Sequence, residues 1–287
     1  MRRIFDRLFA GTIAISFVTA FLFLALSPLN KPFANSLLLL PLKEVSVPPI
    51  LDHTIRHGYK CDWENVYFKS RNGARLHGWY LKLPGATKTY LVSHGNTGNV
   101  GFVLGLAPGL LETGASVFLY DYQGFGASEG KASYETVIDD GIAAYDFLVA
   151  EEHVPKEQIV LFGQSFGCAV ASQVMKERRV AGVVLQSGFS NVEEAARDKC
   201  PWMQLYPDWF FPETKLDNMT PYMTPHPALL IIHGKKDFIL SVKYASRIYK
   251  AAIEPKQIKL LPNSNHWIFA TDVPETLEAL ESFLGQL

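Results

Sequence analysis

The chain has 287 residues, 48% of them hydrophobic, with 27 Lys and Arg against 28 Asp and Glu. That length and apolar content suit one large α/β domain, or two small ones, with a substantial core. A net charge of −1 gives no reason to expect nucleic acid as a partner, and three scattered cysteines without a CxxC pair argue against a zinc site or a dense disulfide scaffold.

The N-terminus carries Arg2, Arg3 and Arg7, and residues 8–26 then contain no charge. Roughly 20 apolar residues are enough to cross a bilayer, and arginines ahead of them place the N-terminus in the cytoplasm. The expectation is one uncleaved N-terminal transmembrane helix. Residues 1–42 would form anchor and linker, and the bulk of the chain would lie on the exterior or periplasmic side. A cleaved signal peptide, giving a secreted protein, is the rival. Ala25-Leu26-Ser27 resembles a cleavage site, but Pro28 disfavours cutting and the run exceeds the usual apolar core of roughly 7–15 residues. A buried or interfacial helix is the third reading. The patch 36–41 (SLLLLP) is too short to span; it either lies at the membrane surface or begins the folded domain. An exterior location would permit a Cys61–Cys200 disulfide.

Residues 43–287 read as a folded domain. ENVYFKS and RLHGWYLK flank the turn residues Arg71-Asn72-Gly73 and predict an antiparallel hairpin. Short apolar runs follow at 89–95, 116–122, 159–165, 182–188, 228–234 and 257–263. Runs this apolar fit strands buried on both faces, as in a parallel sheet. Between them, helical periodicity covers 101–112, 133–152, 166–178, 241–252 and 273–286, with Val137, Ile138, Ile142, Tyr145 and Leu148 on or near one face. The alternation predicts an α/β fold with a doubly wound, mostly parallel sheet. About 40 residues, 189–227, separate two of these strands, which is long for such a connection. This insertion is rich in aromatics and prolines and sits where a lid would lie; Trp202, Trp209 and Phe210 are its candidate substrate-binding residues. Packing of the aromatics into a small core of the insertion itself is a compatible reading.

Reacting groups in open α/β sheets collect at the carboxyl ends of strands. The run 159–163 ends in Gly163-Gln164-Ser165-Phe166-Gly167 and is followed by a helix, the G-x-S-x-G pattern in strand–turn–helix context. Glycines there permit a sharp turn that lifts the serine hydroxyl near a helix N-terminus. The alternative role for Ser165 is helix N-cap. A serine nucleophile needs a base, and the base an orienting carboxylate. Asp237 lies just past the run 228–234 and His266 just past 257–263, in the order Ser…acid…His. Asp208, Glu213 and Asp217 compete for the acid but lie in the insertion, and His94 and His233 suit loop-holding. The oxyanion donors would be the backbone N–H of Phe166 and of Asn96 in HGNTGN, with Thr97 the alternative. The loop 121–130 (DYQGFGASEG) contains GFG, but the helix pattern starts only near Ser133, which argues against dinucleotide binding. Cys168 falls on the helix after Ser165, in a packing role.

Together HGNTGN, YDYQGFGASEG, GQSFG, HGKKD and SNHW resemble the α/β-hydrolase superfamily from about Asn65 to Leu287. The short lid, HGN loop and YDYQGFG segment look most like its membrane-associated depalmitoylase-like and monoacylglycerol-lipase-like branch. The resemblance implies hydrolysis of an ester, thioester or similar acyl bond without metal or organic cofactor. One departure stands out: Asn263, Ser264 and Asn265 precede the histidine where the family commonly has glycine.

The reading is a serine hydrolase acting on a lipid-like or acylated substrate, membrane-bound through its N-terminal helix, with no nucleic-acid partner and oligomeric state left open. Ser165 attacks the acyl carbonyl, His266 moves the proton, and Asp237 orients His266. A peptidase of the same fold and a catalytically silent binding protein are the rivals.

Overall fold

The computed structural model describes residues 18–19, 21–211 and 216–287. Its strands are β1 (Leu40–Pro41), β2 (Asp62–Lys69), β3 (Arg75–Lys82), β4 (Thr89–Ser93), β5 (Thr97–Gly98), β6 (Ser116–Tyr120), β7 (Ile159–Gln164), β8 (Gly182–Gln186), β9 (Ala228–Gly234) and β10 (Lys256–Leu261). Eight of them form one sheet in the order β10-β9-β8-β7-β4-β6-β3-β2. β2 and β3 are the expected antiparallel hairpin, and β3 also runs antiparallel to β6. The other pairs are parallel.

The apolar runs have a direct explanation in this sheet. Successive residues of each central strand face opposite sides, so a strand covered on both faces needs apolar residues throughout. Leu161 of β7 joins one core cluster, while Val160 and Phe162 join the other. In β9, Leu229 and Ile231 face one cluster and Leu230 and Ile232 the other. Helices Thr136–Ala150, Gly167–Glu177 and Lys243–Ala251 contribute to the first cluster; Ala107–Glu112 and Val273–Leu284 contribute to the second. The helix expected over 101–112 is broken into Val100–Val103, a 3-10 turn at Leu104–Leu106, and Ala107–Glu112. Pro108 has no N–H to continue an upstream helix and sits in the first turn of the last piece.

β6 lies on one side of β4 and β7 on the other. The winding direction therefore reverses beside β4, and a crevice opens at the strand ends there. The loop after β4 and the turn after β7 face each other across it.

The N-terminal expectation needs correction. Among the described residues no helix is long and apolar enough to cross a membrane. Residues 8–17 and 20 of the expected span lie outside the described residues. Within the described part, helix ends near Ala25, where Ser27 Oγ donates to the Leu24 carbonyl and Asn30 caps a new helix, Lys31–Leu38. Phe23 lies tilted against Tyr206 and edge-on to Phe210 of the insertion, with ring centroids 4.5 and 5.5 Å apart, while Phe21, Leu22, Leu24 and Leu26 stay exposed and the described helix is too short to span a bilayer. A single-pass membrane protein with an exterior catalytic domain is thus not supported. The Cys61–Cys200 disulfide is not formed either. Both thiols are free; Cys61 is buried beneath the β2–β3 hairpin, and Cys200 packs with the insertion.

Candidate active site

Ser165 follows β7 with φ at 54°. The left-handed region costs a non-glycine residue roughly 1–2 kcal/mol, so the surroundings must hold it there. Ser165 N donates to the Gln186 carbonyl (2.8 Å), and Cys168 N donates to the Ser165 carbonyl (3.1 Å). Two glycines make the turn possible. A Cβ on Gly167 would strike the Ser93 carbonyl oxygen, and one on Gly163 would lie 2.5 Å from Cys168 Cα. Helix Gly167–Glu177 starts without a side-chain cap, so the Ser165 hydroxyl is not used as an N-cap. Cys168 is fully buried, and burial pushes its thiol pKa up, as suits a packing residue.

Asp237 and His266 meet beyond β9 and β10. His266 Nδ1 lies 2.8 Å from Asp237 Oδ2. The other carboxylate oxygen accepts from the Ile239 and Leu240 amides, both at 2.8 Å. His233 Nε2 lies 3.2 Å from Asp237 Oδ2 and 2.9 Å from the Leu240 carbonyl, holding the loop. Burial on its own would push the Asp237 carboxyl up. The hydrogen bonds from His233, His266 and Leu240 outweigh it and keep the group well below the ordinary carboxylate range. Asp237 therefore stays an anion that can stabilise a cationic His266. Among the described residues, no hydrogen bond joins Ser165 Oγ to His266.

Glycine's absence before His266 is met from the facing loop. A Cβ on Gly234 would collide with the carbonyl oxygens of Ser264 and Asn265, so the close approach falls on Gly234. The Asn263 and Ser264 amides donate to Asp272 Oδ2 at 2.8 and 2.9 Å, fixing the loop from outside.

One residue the sequence does not reveal links the two halves. Gln186, at the end of β8, accepts from Ser165 N through its carbonyl, and its Nε2 donates to the His266 carbonyl at 2.9 Å. Ser187 Oγ reaches the same carbonyl at 3.3 Å. A lone glutamine at a strand end carries no pattern that would mark it.

Neither the Phe166 nor the Asn96 amide N–H donates to an acceptor among the described residues. Both residues, with Ser165, line a cavity of about 560 Å³. Its walls come largely from the insertion: Val192, Ala195 and Ala196 of helix Val192–Lys199, then Met203 and Phe211. The expected aromatic contacts fall elsewhere. Phe210 is buried with Met203 and Tyr206 in the insertion's own cluster, while Trp202 and Trp209 are 40% and 72% exposed. Short 3-10 turns at Pro201–Leu205 and Asp208–Phe210 turn the neighbours of these residues, Met203 and Asp208, toward the cavity instead.

A serine on a strained turn, with acid and histidine arriving from strands further along the same parallel sheet, is the arrangement of the α/β hydrolases. Comparison with known proteins agrees. Residues 85–227 match the family described as serine aminopeptidase, S33. YfhR of Escherichia coli is 31% identical over 211 residues, spanning 71% of this chain and 73% of YfhR. The alpha/beta hydrolase domain-containing protein aho-3 of Caenorhabditis elegans is 28% identical over 226 residues, spanning 70% of this chain and 59% of aho-3. In structure, the Pyrococcus furiosus esterase Pf2001 superposes with a TM-score of 0.70 at 18% identity, covering 87% of this chain and 98% of its own. This chain belongs to the α/β-hydrolase superfamily, in a family that includes YfhR.

Proposed function

We propose that the protein is a serine hydrolase that cleaves a carboxylic ester or thioester of a lipid-like or acylated substrate through an acyl-enzyme. Ser165 Oγ attacks the acyl carbonyl. His266 Nε2 takes the serine proton and gives it to the leaving oxygen or sulfur. Asp237 holds the proton on Nδ1 and stabilises the imidazolium. The Phe166 and Asn96 amides hold the oxyanion. Water, activated by the same histidine, then releases the acid. Contacts between serine and base are often loose before substrate binds, and this reading requires the Ser165 hydroxyl to come within hydrogen-bond reach of His266 Nε2 in the substrate complex.

The observation that carries this reading is the 2.8 Å Asp237–His266 contact at the same strand ends as the left-handed Ser165. The aminopeptidase description of the matched family favours a second reading, cleavage next to a free amino terminus. Such a substrate needs a carboxylate for its ammonium group. The acidic side chains lining the cavity are engaged otherwise: Glu193 and Asp208 both pair with Arg197, and Asp217 accepts from the Met219 and Thr220 amides. The apolar walls fit an acyl chain better.

The test is fluorophosphonate labelling of the full chain, with turnover of p-nitrophenyl esters and of amino-acid p-nitroanilides alongside. Labelling is expected to vanish in Ser165→Ala, and His266→Ala is expected to lose at least a thousandfold in ester kcat. Normal turnover by either variant would overturn the assignment. Faster hydrolysis of the anilides than of the esters would favour the peptidase.

A further inference from the structure

Residues 28–42 do more than lead into the sheet. Asn30 caps helix Lys31–Leu38, and Phe33 of that helix packs against the insertion's Met203–Tyr206–Phe210 cluster. Asn35 Oδ1 accepts from Tyr134 N (3.0 Å), and Lys31 pairs with Glu135 (2.9 Å). Pro28, Ala34, Leu37 and Leu38 line the same 560 Å³ cavity as Ser165. Past the helix, the segment becomes a strand against the loop that carries the proposed oxyanion donor. β1 pairs with β5 in register Leu40 with Thr97 and Pro41 with Gly98. Leu40 N donates to the Asn96 carbonyl, and Asn96 Nδ2 donates to the Leu38 carbonyl, both at 2.8 Å. Asn99 Nδ2 reaches the Leu42 and Glu44 carbonyls at 3.0 and 2.7 Å.

The same strap thus builds part of the cavity wall and holds Asn96 through its backbone carbonyl and its side chain, leaving its N–H without an acceptor among the described residues. We propose that it is the specificity-determining element for the acyl group, with Ala34 and Leu38 setting how long a chain the site accepts, and that the preferred substrates carry medium-length linear acyl chains in place of acetyl. This rests on the serine-hydrolase reading. A pocket of several hundred cubic ångströms is the size that encloses a whole small ligand, and an acetyl group would leave this one mostly empty. Each methylene buried in it is worth about fourfold in binding, so kcat/KM should climb with chain length until the strap is reached.

The experiment measures kcat/KM for p-nitrophenyl acetate, butyrate, octanoate and dodecanoate on the full chain, wild type and two variants of opposite effect. Ala34→Phe pushes a ring into the cavity, and Leu38→Ala enlarges it without removing the backbone carbonyl that Asn96 uses. The expected result is an octanoate-to-acetate ratio at least tenfold lower in Ala34→Phe, and an optimum displaced toward dodecanoate in Leu38→Ala. An active wild type whose ratios are unchanged within twofold in the folded variants overturns the role of the strap and leaves the hydrolase reading standing. A wild type that favours acetate overturns the substrate class. A wild type that hydrolyses no ester and takes no fluorophosphonate at Ser165 overturns the hydrolase reading, and this inference with it. Should Ala34→Phe fail to fold, the Leu38→Ala profile decides on its own.

Discussion

Gln186 is where a single side chain does most to define the proposed site. It receives Ser165 N on its carbonyl and donates to the His266 carbonyl, so nucleophile and base are both referenced to one residue of β8. Gln186→Leu keeps the first contact and removes the second, leaving the His266 carbonyl to Ser187 alone. Small misplacements of a reacting group cost one to two orders of magnitude in rate. We expect kcat for an ester to fall about ten- to a hundredfold with KM within about twofold of wild type. A variant whose loss lies wholly in KM would show that Gln186 shapes binding and not the geometry of the base. The proposed triad of Ser165, Asp237 and His266 can be read from the sequence because each residue follows an apolar run, and because Gly163 and Gly167 flank the serine. Gln186 cannot, since its role arises from two hydrogen bonds to residues far apart in the chain. Trp202 and Trp209 misdirect for a related reason: composition reveals an aromatic segment but not which side of a 3-10 turn faces the cavity.

Among the elements, the loop 121–130 and the hairpin turn are tied together by a buried carboxylate. Asp140, on helix Thr136–Ala150, accepts from Ser70 Oγ at 2.7 Å, Gln123 N at 2.8 Å and Gln123 Nε2 at 2.7 Å. Burial pushes its pKa up to about 6, against the pull of those three donors. Below about pH 4 the folded and unfolded states both hold this proton. Between about pH 4 and 6 only the folded state does, so stability falls as pH rises through that window and levels off above it. The loss is of order 2–3 kcal/mol, from 1.36 kcal/mol per pKa unit. Thermal melts of wild type and Asp140→Asn across pH 4–7 check this: the variant is expected to be less stable throughout but to lack that part of the slope, and parallel curves would refute the shift. The turn-rich character of this loop was readable from Gly124, Gly126 and Gly130, all at positive φ. The strap was not readable. Its apolar residues continue the character of residues 8–26, and only contacts with Thr97, Tyr134 and the insertion, remote in sequence, show what they cover.

At the scale of the whole molecule, the doubly wound sheet follows from the sequence because strands buried on both faces are apolar over most of their length, with polar residues such as Ser93, Gln164 and Gln186 at their ends. The N-terminal membrane span did not follow, because hydropathy reports how apolar a segment is and not where its helix ends, here near Ala25. The sheet's order also has a bearing on how the protein fails. His266 hangs from β10, which pairs with β9 alone and is mostly half-buried, whereas Ser165 hangs from the fully buried β7. Edge elements with few buried contacts open at lower free energy than the centre of a fold. Warming should therefore fray β10 and carry the base away while the nucleophile and most of the core remain in place. Reversible loss of esterase activity is expected several degrees below the unfolding midpoint, with amides of residues 256–261 exchanging hydrogen earlier than those of 159–164. Coincident loss of activity and fold would show that the edge is as firmly locked as the centre. In operation, then, heat would disarm this protein before it dismantled it.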